Sequence, residues 1–185
     1  MRISSGDKKG KELKCAPRSP LLRPITDKIK NAIFSILFDK VIGARVLDMF
    51  AGTGILGFES LSRGAKSVVF VDKSYKNIKL IRENAQNLGF AETTEVLSRD
   101  FEEALEYMEK MEKTFSIVFI DPPYNTDFAA RALNHPSFSS LIKSDSLVIV
   151  RVHHKTKLPA HAGSLSVIDE RKYGEAKVYF YKSTK

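Results

Sequence analysis

The sequence predicts an α/β domain in which helices cover both faces of a mainly parallel sheet. Three observations predict it: short apolar runs typical of buried strands recur along the chain, amphipathic helical segments separate them, and a glycine-containing turn follows the first run. Strands of a parallel sheet are buried on both faces, so they are expected as continuous apolar runs rather than alternating ones.

Five apolar runs are predicted as the parallel strands, at residues 46–49, 67–71, 94–97, 115–120 and 147–150. Helical spacing predicts five helices, at about residues 26–38, 55–63, 75–88, 101–112 and 127–134. Thr26 is the expected N-cap of the first helix, and Gly89 is expected to end the third. Residues 165–168 and 177–181 flank Tyr173-Gly174 and predict a terminal antiparallel hairpin.

Length and composition bound the class of protein. The 185 residues, 43% of them hydrophobic, suit one globular domain. Cys15 is the one cysteine, which excludes an internal disulfide or a zinc cluster and fits a reducing cytoplasm. No apolar run approaches the roughly 20 residues that span a bilayer, and the polar start is not a secretory signal. We therefore expect a cytoplasmic protein without metal or membrane contact, acting as a monomer.

Positive charge is concentrated at the start of the chain. The net charge is +8, and residues 1–30 hold nine Lys or Arg residues against three acidic ones, which is +6 of that total. We divide the chain into a basic extension, 1–24, expected to form a hairpin or loop, and a main domain, 25–185. The extension is interpreted either as a solvated arm that aids solubility or as a surface for nucleic-acid phosphates.

An acidic residue ends or follows each of the first four predicted strands, at Asp48, Asp72, Asp100 and Asp121. Ligands of open α/β sheets bind beyond the carboxyl ends of the strands, near the point where strand order reverses. Any one of these residues suits an ordinary turn. Four of them on one edge of the sheet predict a binding site there.

The turn after the first strand predicts an adenosine cofactor. Its glycines let the backbone approach a ligand, and the next helix offers free N–H groups. Residues 52–57 also fit the dinucleotide pattern G-x-G-x-x-G. However, the Asp48 carboxylate would repel a pyrophosphate and would suit the cationic groups of S-adenosylmethionine. The residues assigned to this part of the cofactor site are Asp48, Phe50, Ala51, Gly52, Thr53 and Gly54.

The ends of the second and third strands complete the predicted cofactor site. Asp72 is placed to accept both ribose hydroxyls, and the adjacent Lys73 is assigned to the same site. The Asp100 carboxylate suits the adenine amine, with the Phe101 ring against the base. Asp100 is equally well interpreted as a helix N-cap, and both roles are compatible.

Asp121-Pro122-Pro123-Tyr124 follows the fourth strand and predicts the reacting end of the site. Two prolines remove backbone donors and leave rigid carbonyls. A carboxylate and a proline carbonyl can accept both hydrogens of an exocyclic amine, which frees the nitrogen lone pair to attack a methyl group. Tyr124 is predicted to stack on the base. The alternative is a proline-stiffened loop with Tyr124 packed on the surface.

With these motifs in place, the chain resembles the RsmD-type 16S ribosomal RNA guanine-N2 methyltransferases over nearly its whole length. The residues that carry the resemblance include Arg2-Ile3 and Lys9-Gly10, the glycine region Val46 to Gly57, Asp121 to Tyr124, and Arg171-Lys172-Tyr173-Gly174 in the tail. The Arg23-Pro24 entry of the first helix and the basic extension are its more specific parts. The sequence departs from the family pattern at Leu22, where small or polar residues are common, and at Arg151, where an acid is frequent.

The resemblance implies a Rossmann-like class I fold with a seven-stranded sheet that ends in an antiparallel hairpin. It also implies methyl transfer from S-adenosylmethionine to the N2 amine of a guanine in 16S rRNA, with a partly assembled small subunit as partner. On this basis the residues expected to contact RNA are Arg2, Lys8, Lys9, Lys11, Arg23, Lys28 and Tyr173.

The residues themselves leave four other functions possible. An adenine-N6 DNA or RNA methyltransferase would use the same Asp-Pro-Pro-Tyr contacts, although the chain has no sizeable target-recognition domain. A protein glutamine methyltransferase also acts on an amide-type nitrogen, but the basic extension argues against this function. A non-catalytic RNA-binding assembly factor and a dinucleotide oxidoreductase are the remaining alternatives.

Overall fold

The computed structural model describes residues 1–15 and 25–185, so the Leu22, Arg23 and Pro24 predictions lie outside the described residues. Five α-helices are seen in these ranges: α1 (Asp27–Leu37), α2 (Ile55–Ser62), α3 (Tyr75–Leu88), α4 (Phe101–Lys110) and α5 (Phe128–Asn134). The strands are β1 (Arg45–Met49), β2 (Ser67–Asp72), β3 (Thr94–Ser98), β4 (Phe115–Ile120), β5 (Ile142–His153), β6 (His161–Ala162), β7 (Leu165–Tyr173) and β8 (Ala176–Ser183).

The strands of the described residues form one sheet in the order β3-β2-β1-β4-β5-β8-β7-β6. β1 to β5 are parallel, whereas β8, β7 and β6 add to them as antiparallel neighbours. The chain runs outward from β1 to β3 and then returns to β4 on the other side of β1. The strand order therefore reverses between β1 and β4, and this is where ligands of such sheets bind.

Two apolar cores cover the two faces of the sheet. In β1, Val46 belongs to the core beneath α1, α2 and α3, while Leu47 belongs to the core beneath α4 and α5. Phe119 and Val118 of β4 divide between the same two cores. This burial on both sides explains why the central strands are continuous apolar runs. It confirms the predicted α/β class with a mainly parallel sheet.

Local sequence signals predicted most boundaries of the helices and strands to within a few residues. Thr26 caps α1 by accepting a hydrogen bond from the Ile29 amide, and Gly89 ends α3 in the left-handed conformation at φ 73°. The fifth strand is longer than predicted because it pairs with β4 from Ile142 and with β8 as far as His153. The two-residue β6 makes an eighth strand beyond the expected seven, and so short an element leaves no periodic pattern.

The first 15 residues pack on the domain rather than standing away from it. Ile3 and Leu13 are buried in the same core as α1 and α3, and an antiparallel bridge joins Arg2 to Glu12. A Cβ at Gly6 would lie 1.7 Å from the carbonyl oxygen of Ser62, so glycine permits this close approach to the end of α2.

A buried ionic network fixes the same segment. The Glu59 carboxylate, fully buried on α2, accepts a hydrogen bond from the Ser4 amide at 2.7 Å and pairs with Arg63 at 2.8 Å. The buried Lys30 ammonium lies 3.4 Å from Glu59 and also donates to the carbonyl of Arg2. Lys30 therefore stabilises the fold, and its charge is not part of the exposed basic surface.

Within the described ranges, no helix has the length and apolar character needed to cross a membrane.

Candidate functional site

The four acidic residues singled out in the sequence lie on β1, β2, β3 and β4 or just beyond them, and these strands are adjacent and parallel. Asp48 is the fourth residue of β1, Asp72 ends β2, Asp100 caps α4 after β3, and Asp121 follows β4. The carboxyl ends of parallel strands share one edge of the sheet. The structure thus places the predicted residues along a single edge that contains the β1–β4 reversal.

Asp72 holds the glycine turn in place. Its Oδ2 accepts a hydrogen bond from the Gly52 amide at 2.8 Å, and its Oδ1 accepts one from the Ser74 amide at 2.8 Å. Gly52 and Gly54 have φ values of 56° and 75°, and Phe50 adopts φ 63°. This left-handed backbone is costly for a bulky residue such as Phe50, and strain of this kind concentrates at functional sites.

Asp48 is buried, with 2% of its surface exposed, and its Oδ2 accepts a hydrogen bond from the Gly57 amide at 2.9 Å. Burial raises the pKa of this carboxyl well above its usual range; the Gly57 bond opposes the rise, and nearby Asp121 and Asp72 add to it. Asp48 thus ties β1 to the first turns of α2. A Cβ at Gly57 would lie 2.2 Å from the Phe70 ring, so this helix packs closely on the sheet.

Thr53 links the turn to the start of the chain. Its hydroxyl lies 3.1 Å from the sulfur of Met1, and Ala51 is buried beside it with its amide bonded to the Val71 carbonyl. The N-terminal segment therefore borders the glycine turn.

Three phenylalanine rings form a cluster at the same edge. The Phe50 ring centroid lies 5.1 Å from that of Phe101 and 6.0 Å from that of Phe128, with the last pair stacked. Phe101 is 3% exposed, so most of its ring is covered by protein. The Asp100 carboxylate accepts a hydrogen bond from the Glu102 amide at 3.1 Å, which confirms its N-cap role.

Two cations lie beside this aromatic cluster. The Lys73 ammonium is 5.8 Å from the Phe128 ring centroid, and the Arg131 guanidinium is 5.4 Å from that of Phe101. No sequence motif marks Phe128 or Arg131 as site residues, because only the fold brings α5 to α4 and the glycine turn.

Asp121 forms an ion pair that the sequence did not predict. Its Oδ1 lies 2.6 Å from Nε of Arg151 on β5, and the two side chains are 15% and 9% exposed. Burial raises the pKa of the Asp121 carboxyl, while the charge and hydrogen bond of Arg151 oppose that rise. The residue noted as a departure from the family pattern is therefore a direct partner of the predicted catalytic aspartate.

The rest of the Asp-Pro-Pro-Tyr segment is ordered by neighbouring groups. Pro122 is buried, and the Pro123 carbonyl accepts a hydrogen bond from the Thr126 hydroxyl at 2.8 Å. The Arg151 guanidinium carbon lies 5.6 Å from the Tyr124 ring centroid, and His153 meets that ring edge-on at 5.6 Å. Tyr124 thus sits in a cluster of cationic and aromatic groups rather than alone on the surface.

The predicted RNA-contact residues fall into different environments. Lys9, Lys11 and Lys28 are exposed. Arg2 pairs with Glu12 at 2.7 Å, and Lys8 lies 5.7 Å from the Phe90 ring centroid. Tyr173, at the end of β7, is partly buried against the core beneath α1 to α3.

No group of three or more metal-binding side chains occurs in the part of the chain that the structure describes.

Comparison with known proteins shows the family. The protein-family model described as Conserved hypothetical protein 95 matches residues 1–182. The Bacillus subtilis protein YlbH, which carries the name of an rRNA methyltransferase, is 35% identical over 182 residues, covering 98% of each chain. Ribosomal RNA small subunit methyltransferase D of Escherichia coli K12 is 27% identical over 98% of this chain and 89% of that protein.

A solved structure of the Escherichia coli protein yhhF, described as a methyltransferase, superposes with a TM-score of 0.83 at 25% identity and covers 99% of this chain and 97% of that chain. These matches confirm the resemblance found in the sequence and the methyltransferase fold. The chain belongs to the Conserved hypothetical protein 95 family, with the RsmD-type proteins among its relatives.

Proposed function

We propose that this chain transfers a methyl group from S-adenosylmethionine to the exocyclic N2 amine of a guanine in 16S rRNA of the small ribosomal subunit. The observation that carries the proposal is the Asp121–Tyr124 segment at the end of β4, directly across the β1–β4 reversal from the glycine turn. The names of the full-length relatives support rRNA as the substrate.

The residues around the glycine turn fit the methyl donor. The left-handed Gly52 lets the backbone approach a ligand, since a Cβ there would meet only its own turn, whereas the left-handed Gly54 makes room for the rings of Phe58 and Phe70. We assign the ribose hydroxyls to Asp72, and the adenine to the region of Phe50, Asp100 and Phe101. When bound, S-adenosylmethionine supplies a methyl group on a positively charged sulfur.

The buried position of Asp48 refines its role. Because Asp48 is 2% exposed and its carboxyl group accepts the Gly57 amide, we assign Asp48 to shaping the turn rather than to direct ligand contact. Phe101, covered on most of its surface, supports the cofactor site from beneath through its contact with Phe50.

At the reacting end, Asp121 and a proline carbonyl accept the two hydrogens of the guanine amine. The Pro123 carbonyl already accepts a bond from Thr126, so we assign this role to the carbonyl of Pro122. The nitrogen lone pair then forms the new bond to the methyl carbon as the carbon–sulfur bond breaks. Sulfur keeps that electron pair, and the methylated nitrogen releases a proton to water.

The Asp121 carboxylate lowers the barrier because positive charge grows on the nitrogen during transfer. A negative group fixed beside that atom stabilises the transition state more than the ground state. Tyr124 stacks on the base, a contact worth about 1–3 kcal/mol in single-stranded sites. A paired guanine must first leave its helix, which costs a few kcal/mol.

Mapping the product tests the proposal. Small subunits and their precursors from cells lacking this protein are incubated with the purified protein and radiolabelled S-adenosylmethionine, and the labelled nucleoside is identified after digestion. We expect N2-methylguanosine in 16S rRNA. Label in N6-methyladenosine, in a protein glutamine or in no acceptor would contradict the proposal, and each result points to a different alternative.

A further inference from the structure

We infer that Arg151 is a positioning residue that holds the Asp121 carboxylate in the orientation needed to receive the substrate amine. The inference rests on the proposed function. The inference gives a role to an arginine at a position where the family frequently has an acidic residue.

The strand register explains how the two residues meet. β4 and β5 are parallel neighbours with Ile120 opposite Val150, so Asp121 and Arg151 are each the next residue along. Arg151 is also opposite Val178 of β8, which places its backbone inside the sheet rather than on a loop. The arginine therefore reaches the carboxylate from a fixed strand, while Asp121 lies at the start of a loop.

The contact restricts the carboxylate. Nε of Arg151 lies 2.6 Å from Oδ1 of Asp121, slightly closer than the roughly 2.7–2.9 Å usual for a charge-assisted N–H···O hydrogen bond. With Oδ1 held, the plane of the carboxylate is set, and we assign Oδ2 to the substrate amine. The buried setting strengthens the pair, because water screens charges less effectively there.

The charge of Arg151 also affects the protonation of Asp121. Burial raises the pKa of the Asp121 carboxyl and Arg151 opposes that rise. Asp48 on β1 is close enough for Asp121 to raise its pKa, and Tyr124 interacts electrostatically with Arg151. His153 contacts the Tyr124 ring. Arg151 favours the ionised form of Asp121, which is the form that accepts the amine hydrogen.

The test compares Arg151→Met and Arg151→Lys with the wild-type protein. Removing an opposite charge at this distance should raise the pKa of Asp121 by about 1 unit or more. The acid limb of the kcat profile of Arg151→Met should move to higher pH by that amount, and kcat should fall by about 100-fold from the misplaced carboxylate. KM for RNA should change little. Arg151→Lys keeps the charge and should restore the acid limb, although not the full kcat.

Arg171→Met is the matched control, since Arg171 forms an exposed ion pair with Asp169 on β7. It should leave the acid limb unchanged. Binding of S-adenosylhomocysteine by each variant reports that the fold is retained, and Arg151→Lys carries the test if Arg151→Met does not fold. A wild-type kcat and acid limb in both Arg151 variants would overturn the inference.

An NMR titration separates this inference from the proposed function. In protein labelled with carbon-13 at the aspartate carboxyl, the signal of Asp121 is assigned by its loss in Asp121→Asn. A raised Asp121 pKa in Arg151→Met supports the ion pair even if the wild-type protein methylates no RNA, in which case the proposed function alone fails. An unchanged Asp121 pKa would overturn the inference whatever the activity.

Discussion

At the scale of single residues, carboxylates of one chemical type acquire three different roles from their surroundings. Asp48 is buried against the Gly57 amide, Asp72 bonds the glycine turn, and Asp121 is paired with Arg151. The sequence pattern located all three aspartates, because each lies at or beside the carboxyl end of a strand. It did not reveal the Arg151 contact, since the two partners are 30 residues apart and only the sheet register joins them.

A first prediction concerns Asp72. Asp72→Ala should weaken binding of S-adenosylhomocysteine by about 10- to 100-fold, because hydrogen bonds to a charged group contribute roughly 1.5–3 kcal/mol. The variant also removes the acceptor of the Gly52 amide and loosens the turn. Isothermal titration calorimetry measures the affinity.

Asp169→Ala is the control for Asp72→Ala, because Asp169 is a carboxylate on β7 that pairs with the exposed Arg171. Its affinity should equal that of the wild-type protein. Unchanged affinity in Asp72→Ala would remove Asp72 from the cofactor site.

At the scale of secondary structure elements, the sequence predicted the element boundaries that depend on local patterns. β4 was predicted to its exact bounds because its apolar run is uninterrupted, whereas Lys143, Ser144 and Asp145 concealed the start of β5. The sequence also did not reveal that the N-terminal segment shares the core, because Ile3 and Leu13 are isolated apolar residues in a polar stretch. Contacts between distant elements leave no local signal.

The buried network between the N-terminal segment, α1 and α2 gives a second prediction. Glu59→Ala should lower the free energy of unfolding by about 3 kcal/mol or more, because it leaves the buried Lys30 without this partner. Chemical denaturation measures the change. Glu83→Ala, which breaks the exposed pair with Lys14, should cost less than about 1 kcal/mol. Equal effects of the two substitutions would refute the structural role of the network.

At the scale of the whole molecule, the basic N-terminal segment extends from the glycine turn to the end of α2, where the Lys8 amide donates to the Ser62 hydroxyl. The net charge is +8, and the basic N-terminal segment borders the glycine turn through Met1 and Thr53. Deleting residues 1–14 would expose the core that Ile3 and Leu13 cover, so a deletion would mix folding with binding. Substituting the surface lysines of this segment separates the two effects.

The combined change of Lys8, Lys9 and Lys11 to Gln should weaken RNA binding and reduce its salt dependence. Each phosphate contact to single-stranded nucleic acid contributes about 0.7 to the slope of log K against log salt, so the loss should be about 2. The control changes three exposed lysines that lie outside the N-terminal segment and away from Ser62, its neighbour at the end of α2, to Gln: Lys40, Lys110 and Lys143. A salt slope that falls equally in both variants, or in neither, would assign the N-terminal lysines to solubility alone.

The most direct test of the central claim is the single-turnover rate of Asp121→Ala, measured on the RNA substrate together with its affinity for S-adenosylhomocysteine. If Asp121 receives the amine hydrogen, transfer should be lost while the affinity stays close to that of the wild-type protein, because the glycine turn and Asp72 are intact. Transfer at the wild-type rate by this variant would contradict the account.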